Sequence, residues 1–260
     1  MPDAAGTTRR RRYLQAMQVD VWLSRERSPQ APAESAVAVP ASSERHASSA
    51  NTDTPTIVDP AGTIDVAEVA AMPLAELEAT VAGCQRCPLH SGRTRTVFGT
   101  GAADARCMII GEAPGAEEDL RGEPFVGRAG QLLNAMLRAI GFSREAVYIA
   151  NILKCRPPRN RDPKPEEMVA CSPYLRRQIA LVKPRVILAV GRVAAQYLVG
   201  STLAIGRMRG QSYFYENSDD GARIPVVATY HPAYLLRSPL EKRKSWEDLR
   251  RARQLLEANP

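Results

Sequence analysis

Val186-Ile-Leu-Ala-Val190 runs straight into Gly191-Arg-Val-Ala-Ala-Gln-Tyr-Leu-Val199, an apolar run that becomes a helical pattern at a glycine. A run this short and this uniformly apolar reads as a strand covered on both faces, and the residues after the glycine read as the helix leaving it. Three similar runs stand at Cys107–Ile110, Ala146–Ala150 and Val226–Thr229. Helix candidates lie at 129–140, 166–182 and 240–257. Strands that alternate with helices predict an α/β fold, a parallel sheet with helices on both faces. Ligands of such sheets bind beyond the carboxyl ends of the strands, so the residues just after each run are the ones to search.

The flanks of this region have a different texture. Residues 1–27 form a basic segment in which Tyr13, Leu14, Met17, Val21 and Trp22 have helical spacing, a short amphipathic helix. Residues 28–70 are rich in Pro, Ala, Ser and Thr, too poor in apolar side chains to offset chain entropy, and are expected to be a disordered linker. The folded domain is expected over 71–260. No run of 18 apolar residues is present, and Arg9 to Arg12 lack the apolar stretch of an export signal, so a cytosolic protein with no membrane span is expected. Residues 1–70 hold 7 basic and 9 acidic side chains, whereas residues 71–260 hold 28 and 19. The positive field belongs to the folded part, as a polyanionic partner requires.

Five cysteines in such a chain argue against a disulfide framework. Cys84 and Cys87 form a C-x2-C pair ahead of the first strand, Cys155 follows the second, and Cys171 lies on a predicted helix. Four thiolates from these places suit one tetrahedral site, for zinc or for an iron–sulfur cluster. Cys107 opens a strand and reads as core.

Three motifs occupy strand ends. Gly111-Glu-Ala-Pro-Gly115 makes a tight turn whose backbone N–H groups can face a ligand. Asn151 ends the second strand with an amide that both donates and accepts. His231-Pro-Ala-Tyr-Leu-Leu-Arg237 follows the fourth, and His231 is the only one of three histidines placed for chemistry. Gly122-Glu-Pro-Phe-Val-Gly127 adds an aromatic ring, Phe125, among chain-bending residues.

Together, C-x2-C, GEAPG, PFVGRAGQLL, YIANILKCRPP from Tyr148 to Pro158, Cys171 and HPAYLLR resemble the family 4 uracil-DNA glycosylases, in the family's order over roughly residues 78–256. The resemblance implies a three-layer sandwich around a four-stranded parallel sheet, and a [4Fe–4S] cluster on Cys84, Cys87, Cys155 and Cys171 in place of zinc. It also implies an enzyme that flips uracil out of DNA and hydrolyses its glycosidic bond. Phe125 would stack on the base, Asn151 would read its edge, and His231 with backbone N–H groups near Glu112 and Ala113 would receive the negative charge on O2. Sister families carry Asp where this chain has Ala113, which leaves Glu112 as the nearest carboxylate for the attacking water, and Tyr where it has Gly115. Leu235 is expected to wedge into the DNA stack. Arg128, Lys154, Arg156, Arg159 and Arg237 are expected along the backbone.

Two other readings are set against this one. Some close relatives capture uracil-DNA covalently through a histidine between the third and fourth cysteines, but the segment Arg156–Lys164 contains none. A non-catalytic metal-binding module would explain cysteines and charge, but not the strand-end motifs. The protein is expected to act as a monomer on uracil-containing DNA at a bacterial nucleoid, with residues 1–70 free to contact a repair or replication partner.

Overall fold

The computed structural model describes residues 66–217, 221 and 223–258. The helix expected around Tyr13–Trp22 and most of the expected linker lie outside them. Six strands form one sheet in the order β1-β3-β2-β4-β6-β5, with β1 at Thr100–Gly101, β2 at Cys107–Gly111, β3 at Tyr148–Asn151, β4 at Val186–Val190, β5 at Tyr213–Glu216 and β6 at Arg223–Thr229. The four central strands are mutually parallel, as expected, and β1 and β5 extend the sheet by antiparallel pairing at its two edges. Both edge strands are short and half exposed, so neither carries the apolar run that marks a central strand.

Side-chain alternation divides the sheet into two apolar layers. Met108, Ile110, Tyr148, Ala150, Ile187 and Ala189 face one side, against α2 (Leu74–Gly83), α5 (Pro165–Val182) and α6 (Arg192–Val199). Cys107, Ile109, Ile149, Val186, Leu188 and Val190 face the other, against α4 (Arg128–Ala139), α8 (Pro232–Arg237) and α9 (Lys242–Ala258). Cys107 is core, as read. Shorter helices α3 (Ala116–Arg121) and α7 (Ile205–Met208) fill the connections.

The expected linker boundary at residue 70 is corrected. Val66–Ala71 form helix α1, which packs on α5 with Val69 buried at 1 % exposure. Two valines and three alanines are enough apolar surface once a neighbouring groove exists, and Arg177 Nε fixes the end by donating to Met72 O at 2.7 Å. In α5 the interior Pro173 has no N–H for the carbonyl of Val169, and Ser172 Oγ supplies the missing donor at 2.9 Å.

β2 lies between β3 and β4, so the chain leaves β2 toward one edge and later returns toward the other. The crevice at the carboxyl ends of these strands is the place where such folds bind ligands.

Candidate active site

The loops after β2 and β3 are zipped together: Ile152 N–H donates to Gly111 O at 3.0 Å and Leu153 N–H to Glu112 O at 3.1 Å. This brings Glu112 and Asn151 to one pocket of about 430 Å³, which Ala113, Phe125, His231 and Arg237 also line. Its size suits a small ligand. Six of the residues read from strand ends and loops therefore converge, and Leu235 does not.

Asn151 is 2 % exposed, and its Oδ1 is buried with no hydrogen-bond partner among the described residues. Leaving a buried acceptor unpaired costs about 1–3 kcal/mol, so the amide is held ready for something that donates. A side chain at Gly111 would prevent this, since a Cβ there would stand 2.4 Å from Asn151 Oδ1 and 2.7 Å from Phe125 Cζ.

Phe125 adopts a left-handed backbone, φ 53°, uncommon for a residue with a side chain. Its loop is clamped from two directions. Glu118 Oε1 accepts from Val126 N–H at 3.0 Å and Gly127 N–H at 3.1 Å. Arg144 donates to Phe125 O, Pro124 O, Glu123 Oε1 and Asn134 Oδ1. Neither clamp was visible in the sequence, because Arg144 lies in an unremarkable stretch and Glu118 in a run of acidic residues.

His231 caps the first turn of α8, and its Nδ1 accepts the N–H of Ala233 at 3.1 Å. The proton of the neutral ring therefore sits on Nε2, a donor. Burial, with the Arg237 charge adding to it and Glu118 opposing, pushes the ring down to about 4, so it stays uncharged at neutral pH. The ring lies 5.7 Å from that of Phe125. Glu112 goes the other way: burial, helped by Asp162 and opposed by Arg192, raises its carboxyl to about 7.

Two expectations are corrected. Leu235 is 1 % exposed and packs into the layer of α4 and α9, so it has no free side chain to insert elsewhere. On the same connection Leu240 is 91 % exposed, on the short turn Pro239–Glu241 between α8 and α9. Lys154, expected on the surface, is buried at 1 % exposure because its ammonium donates inward to Asn151 O and Gln178 Oε1. Arg128, Arg159 and Arg237 are exposed, Arg237 at the pocket, and Arg156 is half-buried.

Cys84, Cys87, Cys155 and Cys171 line a second, enclosed cavity. Arg93 donates to Cys155 Sγ at 3.2 Å and the Lys154 backbone N–H to Cys171 Sγ at 3.3 Å. Burial raises Cys87 and Cys155, and takes Cys171 up to about 12. Among the described residues no three His, Cys, Asp or Glu side chains close on one ion position.

A sequence profile for the Uracil DNA glycosylase superfamily matches residues 98–250. The chain is similar to the type-4 uracil-DNA glycosylase of Archaeoglobus fulgidus, 44 % identical over 67 % of this chain and 89 % of that protein. It is also similar to that of Thermotoga maritima, 44 % identical over 66 % and 89 %. Similarity to a type-5 uracil-DNA glycosylase of Thermus thermophilus is lower, 35 % over 53 % and 68 %.

Replacing Gly111 by Ala forces Asn151 and Phe125 apart. Urea denaturation is expected to show a loss of about 1–3 kcal/mol, the usual cost of overpacking; an unchanged midpoint would mean that the two side chains move aside freely.

Proposed function

The chain belongs to the uracil DNA glycosylase superfamily, and from that membership we propose how its pocket reads and releases an everted uracil. Its activity is excision of uracil from DNA by hydrolysis of the N-glycosyl bond, a first step of DNA repair. The assignment of residues rests above all on the buried, unpartnered Oδ1 of Asn151.

In this reading Asn151 accepts from uracil N3–H and donates to O4. Cytosine presents the reverse pattern at both atoms, which would leave buried groups unpaired at about 1–3 kcal/mol each. Phe125 stacks on the ring. As the bond breaks, negative charge gathers on uracil O2, and the Nε2–H of a neutral His231 meets it, joined by backbone N–H groups of Glu112 and Ala113. The low histidine pKa keeps the ring neutral at working pH, with Nε2–H as its one donor. Glu112, ionised, stabilises the cationic sugar and orients the water. Turnover is favoured over covalent capture because Asn160 and Arg161, not a histidine, come from the 156–164 segment to the pocket.

We assign a [4Fe–4S] cluster to Cys84, Cys87, Cys155 and Cys171. Four thiols about one site suit zinc or an iron–sulfur cluster alike, and the likeness to type-4 uracil-DNA glycosylases favours the cluster. When bound, the cluster supplies a cross-link between the end of α2, the loop after β3 and α5.

DNA is held through Arg128, Arg159, Arg237 and half-buried Arg156, and the gap left by the base is filled by Leu240. The turn that carries Leu240 is braced by Glu241 N–H donating to Ser238 O at 3.0 Å and by a 2.8 Å ion pair from Lys244 to Glu241. A stiff turn that displays an apolar side chain to water forgoes about 1.5–3 kcal/mol of burial, a cost that contact with unstacked bases recovers. The protein works as a monomer at the bacterial chromosome in the cytoplasm, with residues 1–65 available to a repair or replication partner. No described helix is long and apolar enough to cross a membrane.

Incubation with a uracil-containing oligonucleotide, followed by alkali, is expected to cut the strand at uracil. In single turnover His231→Ala is expected to be about 10²–10³ slower; a wild-type rate would remove His231 from the reaction. Because Glu112 acts as the carboxylate and titrates near 7, kcat/KM should rise with pH through that value and level off above it, while His231, already neutral, adds no limb above pH 5. Glu112→Gln should flatten the profile, and persistence of the rise would assign it to another group. Leu240→Ala should slow excision from duplex about tenfold and leave single-stranded substrate unaffected, since only a duplex must be opened; equal rates on duplex would dismiss the wedge.

A further inference from the structure

Lys154 bonds to a residue of each site, to Cys171 through its backbone and to Asn151 through its side chain. Its backbone N–H donates to Cys171 Sγ at 3.3 Å, and its ammonium donates to the backbone carbonyl of Asn151 at 2.8 Å and to Gln178 Oε1 at 2.6 Å. Gln178 in turn donates to Phe98 O at 3.0 Å and Tyr148 Oη at 3.1 Å. Cys171 and Gln178 lie two turns apart on α5, so Lys154 lies along the helix and fixes it at both points. Burying an ammonium is costly unless it is bonded and faces opposite charge. Here both acceptors are neutral oxygens, so the ammonium is held by hydrogen bonds to a backbone carbonyl and a side-chain amide.

No described group holds the Asn151 Oδ1 in place. Its aim is inherited from its backbone, which is held on one side by the Ile152 N–H bond to Gly111 O and on the other by Lys154.

We propose that Lys154 is a positioning residue that ties the four-cysteine site to base reading, its backbone N–H holding Cys171 while its ammonium holds the Asn151 peptide at the angle that presents the amide to uracil. The proposal rests on the reading of Asn151 given above. It predicts that the lysine affects how tightly uracil is held and leaves the bond-breaking step alone.

The test compares wild type, Lys154→Met and Lys154→Gln, each purified with its iron, by iron content and visible absorbance, by steady-state kinetics on uracil-containing single strands, and by inhibition with free uracil. Lys154→Met should keep its iron, raise KM and the uracil inhibition constant about tenfold, and leave kcat within about twofold, as loss of one charged hydrogen bond predicts. Lys154→Gln, which keeps a donor in the same space, should recover most of the uracil affinity. Wild-type KM and inhibition in an iron-loaded Lys154→Met protein would overturn the proposal. So would a fall in kcat alone, or a defect that Gln fails to relieve. Loss of iron together with affinity in both variants would also overturn it, leaving the lysine as part of the cysteine site only. Failure of the wild-type protein to excise uracil would instead overturn the reading of the pocket.

Discussion

A buried amide oxygen without a partner is the constraint around which the pocket is built. Protein interiors rarely leave such an atom unpaired, and the structure goes to some length to keep this one so. Gly111 gives up its side chain to make room for Oδ1. Gly130 does the same for the neighbouring loop, since a Cβ there would stand 1.7 Å from Phe125 O. Phe125 accepts an uncommon backbone angle, and Glu118 and Arg144 hold it there. The cost is carried by the folded protein before any substrate arrives, so the ligand finds its hydrogen-bonding edge already formed and little ordering remains at the moment of binding.

Charge in the pocket follows the same logic. Hydrolysis of an N-glycosyl bond separates charge, positive on the sugar and negative on the base. The pocket supplies a neutral donor at one end and a carboxyl group with a raised pKa at the other. Both shifts come first from burial, which disfavours whichever form is charged. For the histidine it keeps the ring neutral, with a single N–H at Nε2. For Glu112 it brings the titration into the physiological range. One cause acting on opposite kinds of acid reverses the order of the two groups on the pH scale, leaving the carboxyl above the imidazole.

Much of this was legible in the sequence. The four parallel strands appeared as apolar runs, and Gly111–Gly115, Asn151 and His231 stood out because strand ends are where this fold class places ligands. The cysteine spacing left zinc and a cluster open, and the family resemblance separated them. What was not legible depends on contacts between distant segments. β5 exists because β6 offers it an edge, α1 because α5 offers it a groove, and neither has a strong pattern of its own. Leu235 read as an exposed wedge because a six-residue helix beginning at a proline was not foreseen; its helical position turns it to the core, and the exposed leucine falls five residues later. A lysine between a strand end and a cysteine looks like a surface cation in any linear reading, and its burial becomes evident only when Gln178 is placed opposite it.

The distance in sequence between the parts of the pocket gives a four-cysteine site a use in this fold. Asn151 projects from the end of a four-residue strand, and the chain beyond it runs through Cys155 and a proline-rich segment before α5 begins at Pro165. Such a segment has little apolar surface of its own, and a loop that must stay fixed near a charged substrate cannot rely on hydrophobic packing. Ligation of Cys155 and Cys171 to one cluster would close this stretch into a short, stiff loop, while Cys84 and Cys87 would anchor it to α2 on the outer layer. Stiffness gained there is passed to Asn151 by the backbone bonds to Gly111 and Glu112. A site with four protein ligands has no free position for substrate, and a structural one needs none: it would act on the pocket only by holding the backbone that carries Asn151.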